Sequence, residues 1–456
     1  MTPALLLILG ATGDLAGRYL MPALGELVEG GRFPAGTDIV GVARDHWDDT
    51  RFKTHVSARL ERHAPHLDAG ARRRLVERLR FVAGDVADPA TLRAAAGDRR
   101  GPVVAYLALP PAVFADAITA LAAAGLASGS RIVVEKPFGV DLETARDLNA
   151  LLHRHFAEPD VFRIDHFLGK QTVQNVLGLR FANRLFEPLW CATHIERVDI
   201  VWDETLAMEG RAGYYDHTGA LRDMVQNHLL QILCLVAMER PAGLGERHFR
   251  DAKVDLLSAV RRPTVDDITR DTVRARYTAG AVAGRPVPDY RDEPGVDPAR
   301  NTESFAEVTL FVGNDRWHGV PFHLRTGKAL ARDRRAVRVT FRPVERLPFG
   351  QADDPGPNVL TLAMDPDRVA ADIALNGAGD PFCLDAARWE LALADQELSA
   401  YARILLDVVD GDASLAIRGD EAEHCWHIIE PIVAAWDAGA VPLLGYTAGS
   451  DGPGPS

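Results

Sequence analysis

The first 165 residues alternate short apolar runs with stretches of helical periodicity, a rhythm that fits βαβ units wound onto a parallel sheet. The runs at 4–9, 38–42, 81–83, 103–107, 131–134 and 162–164 read as strands, and 15–29, 110–124 and 142–155 as helices between them. Such a doubly wound sheet takes its ligands at the carboxyl ends of its strands. After Lys170 the texture changes. A long helical pattern covers 219–238, with Leu229, Leu230, Leu233 and Val236 apolar, and strand-like alternation appears at 336–341. An α/β Rossmann-type domain (1–168) followed by an α+β domain with a large, mostly antiparallel sheet (169–448) is the expected organisation. With 456 residues the chain can bury two cores. Stretches 279–298 and 350–357 read as surface loops, and 449–456 as a disordered tail.

A formal net charge of −13 argues against nucleic acid or anionic membrane as a partner, since either would demand a broad basic face. An anionic substrate would have to be met by a few placed cations. The opening MTPALLLILG lacks a basic flank, so no secretory leader is expected, and no apolar run reaches the roughly eighteen residues of a membrane helix. Cys191, Cys234, Cys383 and Cys425 are far apart and contain no CxxC pair, which points to buried thiols in a reducing cytoplasm and to no metal site. The basic residues are lopsided: 46 arginines and five lysines (Lys53, Lys136, Lys170, Lys253 and Lys328). A lysine retained against such a bias marks a place where a compact charge on a slim stem cannot be replaced by a planar fork.

Four stretches carry chemistry. Gly10-Ala-Thr-Gly13-Asp-Leu-Ala16 follows the first strand and opens a helix, where glycine lets the backbone approach a pyrophosphate at a helix N-terminus. Read alone, this is also a plain tight turn. At the end of the second strand Arg44 suits a 2′-phosphate and Asp45 a free 2′-hydroxyl, which leaves NADP and NAD both open. Arg163-Ile-Asp-His-Phe-Leu-Gly-Lys170 places an acid, an imidazole and a lysine at a strand's carboxyl end, and Asp223-Met-Val-Gln-Asn-His228 buries a histidine in a helix, where it must have a partner.

These blocks, with YLALPP (106–111), EKPFG (135–139), RAGYYDHTGALRDMVQNH (211–228) and GVPFHLRTGKAL (319–330), resemble the glucose-6-phosphate dehydrogenase family in order. The resemblance continues more loosely through WELALADQE (389–397) to IIEPIV (428–433). It implies oxidation of glucose 6-phosphate to 6-phosphogluconolactone at the head of the pentose phosphate pathway. In the family pattern His228 removes the proton of the anomeric hydroxyl and Asp165 orients it. His166 and Lys170 hold the sugar phosphate, Glu204 and Asp223 bind hydroxyls, and Lys136, Lys328 and Phe167 line the substrate pocket. NADP, with NAD possible, would lie against Gly10, Thr12, Gly13, Asp14, Leu15, Arg44, Leu109, Pro110 and Lys136. Pro137 resembles a cis-proline, and a homodimer or homotetramer is implied. Two positions depart from the pattern: Gly17 stands where a lysine is usual, with Arg18 about 100° round on an ideal helix, and Phe167 replaces a tyrosine. These departures leave two alternatives, another sugar phosphate such as an amino sugar phosphate, or a catalytically silent binding paralogue.

Overall fold

Leu5–Leu9, five consecutive buried apolar residues, forms the central strand β1, covered on both faces as a parallel strand requires. A computed structural model describes residues 2–98, 101–347, 356–377, 379, 383–394 and 396–454. Strands β2 (Asp38–Ala43), β3 (Leu79–Ala83), β4 (Val103–Leu107), β5 (Arg131–Glu135) and β6 (Val161–Ile164) join β1 in an all-parallel sheet of order β3-β2-β1-β4-β5-β6. The helices Asp49–His63, Ala69–Glu77, Pro89–Ala96 and Leu142–His155 start on Asp48, Asp68, Asp88 and Asp141, whose carboxylates accept backbone N–H groups of the first turn. Gly10, at the end of β1, has φ +85°, and a Cβ there would stand 2.2 Å from the Ala108 carbonyl oxygen. Only glycine fits that approach of the β1 and β4 ends.

The chain forms two compact units that are not two consecutive stretches: Met1–Gln171, Pro241–Asp251 and Gln396–Glu423 make the first, and Thr172–Arg240, Ala252–Asp395 and His424–Ser456 the second. The first crossover lies three residues beyond the expected boundary at 168. The two returns had no sign in the sequence. Helix Ala400–Asp410 packs on helix Met21–Glu29, and Ala402, Leu405 and Val408 share a core with Leu24 and Leu27.

In the second unit β7 (Ile195–Asp203), β8 (Thr272–Thr278), β11 (Phe305–Phe311), β12 (Pro321–Gly327), β13 (Arg334–Phe341), β14 (Val359–Met364), β15 (Asp367–Asn376), β16 (Leu384–Ala392) and β17 (Leu443–Thr447) form one sheet, while β9 (Gly280–Val282) and β10 (Arg285–Val287) pair separately. The order is β16-β15-β14-β13-β7-β12-β11-β8-β17, antiparallel except for β12 with β7 and β17 with β8.

The structure corrects several expectations. Stretch 279–298 is no plain loop: it contains the β9–β10 pair and the fully buried Tyr290. Residues 449–454 are not disordered, because Gly449 N–H donates to Ala329 O and Ala331 N–H to Ser450 O, both at 2.8 Å. Those backbone bonds hold a segment whose Gly/Ser/Pro composition suggested none. Most of 350–357 lies outside the described residues, as do 455 and 456. Helix 219–238 is two pieces, a π-helix Leu221–Leu229 running into an α-helix Leu230–Ala237, and a second π-helical stretch covers Ala16–Leu20. Two of the four free cysteines, Cys191 and Cys383, are only half-buried.

Candidate active site

On the first unit the GATGDLA turn is closed by Gly13 N–H donating to Gly10 O at 3.0 Å. Gly13 is exposed, and only the Gly10 carbonyl oxygen, at 3.2 Å, lies near where a Cβ would stand. An anion can therefore approach this backbone ahead of the following helix. Thr12 Oγ1 donates to Asp45 Oδ2 at 2.7 Å, tying the turn to the end of β2, where Arg44 is exposed. Asp14 and half-buried Leu15 begin the helix that follows the turn, Leu109 and Pro110 follow β4, and Lys136 follows β5. The Lys136–Pro137 bond is cis.

Gly17, one of the two positions that depart from the resembled pattern, is packed under Arg59: a Cβ there would stand 3.0 Å from Arg59 Cγ and Nε. The Arg59 guanidinium comes within 3.5 Å of Asp14. Arg18 is exposed, its guanidinium 5.4 Å from the Tyr19 ring centroid. Arg59 lies on Asp49–His63, and nothing in the sequence tied that helix to the turn.

Beyond β6 the chain makes a tight turn, His166–Gly169, started by Asp165, whose Oδ1 accepts Phe167 N–H at 2.9 Å. Asp165 is buried. The His166 ring meets Phe167 edge-on and stacks on Tyr401, while the Lys170 ammonium lies 5.8 Å from the Phe167 centroid. Gln396 fastens this turn, donating to Gly169 O at 2.8 Å and accepting from Gln171 N–H at 3.1 Å. Sequence reasoning missed Tyr401 and Gln396. The available signal was the loosely matching block 389–397, which contains Gln396 and ends just before Tyr401.

Next to this turn, Tyr106 donates its hydroxyl to Glu135 at 2.5 Å. Burial pushes the Glu135 carboxyl up to about 7, against the opposing effects of that hydrogen bond and of Lys136.

On the second unit His228 is buried in the π-helix Leu221–Leu229, and Asp223, nearer its start, is half-buried. Glu204, one residue past β7, forms an ion pair with Lys328, one residue past β12. The parallel pairing of β7 with β12 sets Gly327 against Asp203 and so brings the two together. The Lys328 ammonium lies 5.9 Å from the Tyr215 ring centroid, and the Asp223 charge helps to raise the Tyr215 hydroxyl's pKa, which burial raises most. The helical run ends against side chains that sequence reasoning also missed. Glu303 meets its N-terminal end, and Arg180, Trp190 and Trp317 donate to its last carbonyls. An acid at the N-terminus and a guanidinium at the C-terminus both complement the helix dipole.

Known proteins resemble the chain in sequence and fold. Residues 7–175 match the family described as glucose-6-phosphate dehydrogenase, NAD binding domain, and residues 177–456 match its C-terminal domain. The glucose-6-phosphate 1-dehydrogenases of Treponema pallidum and Mycolicibacterium smegmatis are 40% and 41% identical to the chain, each over 99% of it and over 92% and 94% of their own lengths. A solved glucose-6-phosphate dehydrogenase in complex with glucose 6-phosphate superposes with a TM-score of 0.91 at 29% identity, covering 99% of this chain and 96% of its own. The Mycobacterium avium glucose-6-phosphate 1-dehydrogenase does so with a TM-score of 0.86 at 33% identity, over the same shares. The chain belongs to the glucose-6-phosphate dehydrogenase family.

Proposed function

We propose that this chain oxidises glucose 6-phosphate at its anomeric carbon, with NADP as the preferred acceptor, at the entry to the pentose phosphate pathway. The observation that carries the reading is the survival of the family's acid, imidazole and lysine blocks in a fold that matches the substrate-bound relative over nearly its full length. The relatives at about 40% identity carry that same activity in their names, which favours glucose 6-phosphate over another sugar phosphate and an enzyme over a silent paralogue.

His228 is the general base for the anomeric hydroxyl, and Asp165 fixes its tautomer and stabilises the imidazolium. The buried carboxylate of Asp165, anchored by Phe167 N–H, cannot wander, which suits an orienting role. His166 and Lys170 hold the sugar phosphate on a turn locked by Gln396, and Phe167 supplies a wall beside them. Lys136 adds positive charge to the pocket. Asp223 and Glu204 accept hydrogen bonds from sugar hydroxyls, and Lys328 holds Glu204 in place through their ion pair. The exposed Gly13 backbone, Thr12, Asp14 and Leu15 fit a dinucleotide, with Gly10 setting the turn and Leu109, Pro110 and Lys136 following the next strands. Bound there, the nicotinamide supplies a hydride acceptor. Because the Thr12 hydroxyl already occupies Asp45, exposed Arg44 is left to meet a 2′-phosphate, which favours NADP. Leu375, Trp389 and Leu391 are exposed on β15 and β16, an apolar edge suited to pairing with a second copy as a homodimer or homotetramer. No helix among the described residues is long and apolar enough to cross a membrane, and a cytoplasmic enzyme with free thiols is the reading that fits.

The test mixes purified protein with glucose 6-phosphate and either NADP or NAD and follows the absorbance of the reduced nicotinamide. Turnover that vanishes in His228→Asn is expected; normal turnover in that variant overturns the base assignment. Arg44→Ala should raise KM for NADP about tenfold or more with little change for NAD, and equal effects on both would refute the role of Arg44.

A further inference from the structure

The helix that carries Asp223 and His228 begins against a buried acid for which the mechanism has no use. Glu303 is 8% exposed, and burial raises its pKa despite the opposing charges of Arg222 and Arg274. Its Oε1 accepts Leu221 N–H at 2.9 Å, and its backbone oxygen accepts Ala220 N–H at 3.2 Å. Gly219 has φ +70°, and a Cβ there would stand 2.4 Å from Glu303 Oε1, so the carboxylate occupies the space that any other residue at 219 would need.

The residues flanking Glu303 hold the neighbouring backbone too. Thr302 Oγ1 donates to Asp216 O at 2.6 Å, ahead of the helix. Ser304 O accepts Lys328 N–H at 2.9 Å, and the Tyr446 hydroxyl, beside Ser304 Oγ, donates to Lys328 O at 2.6 Å. The dipeptide Glu303–Ser304 thus grips the start of the His228 helix with one residue and the Lys328 backbone with the next.

We propose that Glu303 is a positioning residue for the oxidation, setting the axial placement of the helix that bears Asp223 and His228 and its registry with Lys328. This rests on the assignment of His228 as the base. A carboxylate is suited to the task because it accepts an N–H of the first turn, where an apolar residue would leave that donor buried and unmet. A shift of the helix on the order of 1 Å suffices to slow proton removal by one to two orders of magnitude.

The experiment compares Glu303→Ala and Glu303→Gln with the wild-type enzyme in steady-state kinetics, each variant checked for folding by circular dichroism and thermal melting. Glu303→Ala should lose about tenfold or more in kcat while KM for the nicotinamide cofactor stays within about twofold. Glu303→Gln keeps an acceptor oxygen and should retain kcat within about threefold. A folded Glu303→Ala with kcat within twofold of wild type overturns the proposal, as does a Gln variant as slow as the Ala variant. Should Glu303→Ala fail to fold, Glu303→Asp withdraws the carboxylate by one methylene and should fall below Gln in kcat; equal kcat for Asp, Gln and wild type overturns the proposal. His228→Asn separates the two layers of the argument. An active His228→Asn means the base assignment has failed, whereas an inactive one beside a flat Glu303 series means only the positioning has.

Discussion

The rings of His166 and Tyr401 lie 13° from parallel with centroids 5.4 Å apart, and Tyr401 stacks in turn on Tyr19 at 5.1 Å and 23°. His166 therefore ends a three-ring stack, with the Phe167 edge on another side at 4.9 Å. An aromatic contact of this kind is worth about 0.5–1.5 kcal/mol beyond its buried area, or roughly two- to twelvefold in an equilibrium. If His166 holds the sugar phosphate, removing its platform loosens the ring before substrate arrives. Tyr401→Ala should raise KM for glucose 6-phosphate about three- to tenfold, and Tyr401→Phe, which keeps the stack, should leave it within about twofold. An unchanged KM in the alanine variant would show that the stack does not orient the imidazole for binding.

Glu135 gives the first unit a pH dependence. Burial raises its carboxyl from 4.5 to about 7, so the folded protein holds a proton that the unfolded chain has released. The stability this contributes is complete below pH 4.5 and is lost as pH rises to about 7, for a total of at most about 3 kcal/mol. Glu135→Gln keeps an acceptor for the Tyr106 hydroxyl and removes the ionisation. Its melting temperature should therefore fall less steeply than that of the wild type between those pH values. Asp407, also pushed up to about 7 by burial, leaves part of the slope in place. Melting curves of the two proteins at half-unit pH steps decide the matter, and parallel slopes would place the wild-type dependence elsewhere.

Local pattern made the first sheet legible. Its six strands are short, apolar and separated by stretches of helical periodicity, so the alternation of the two patterns marks them, and every strand fell within two residues of its expected start. The blocks around Asp165, His228 and Lys328 were legible for a different reason: their residue types and spacing resemble the family's blocks. What stayed hidden depends on contacts between distant parts of the chain. Tyr401 and Gln396 reach the His166 turn from far downstream, Arg59 covers Gly17 from a neighbouring helix, and Glu303 meets Leu221 through a loop. No periodicity marks such pairs. The π-helical stretch at Leu221–Leu229 was invisible too, since its composition suits an α-helix equally well.

The far end of the His228 helical run offers the sharpest stability test. Its last four carbonyls each receive a side-chain donor: Arg180 Nη1 reaches Leu235 O at 2.6 Å, Trp190 Nε1 Val236 O at 2.8 Å, Trp317 Nε1 Ala237 O at 2.7 Å and Arg180 Nη2 Met238 O at 2.7 Å. Arg180 is 2% exposed, and burial, reinforced by the charge of Arg316, lowers its pKa to about 9, which leaves it protonated at neutral pH. Replacing it with methionine keeps most of the volume but strands two buried carbonyls and removes the cation that complements the helix C-terminus. Each stranded group costs about 1–3 kcal/mol, so a loss of about 3 kcal/mol or more is expected. Trp190→Phe strands one carbonyl and removes no charge, and should cost about 1–2 kcal/mol. Urea unfolding, with hydrogen exchange read at the amides of Leu230–Ala237, measures both. A tryptophan variant as damaged as the arginine variant would mean that packing, and not the cation with its paired hydrogen bonds, holds this end of the helix.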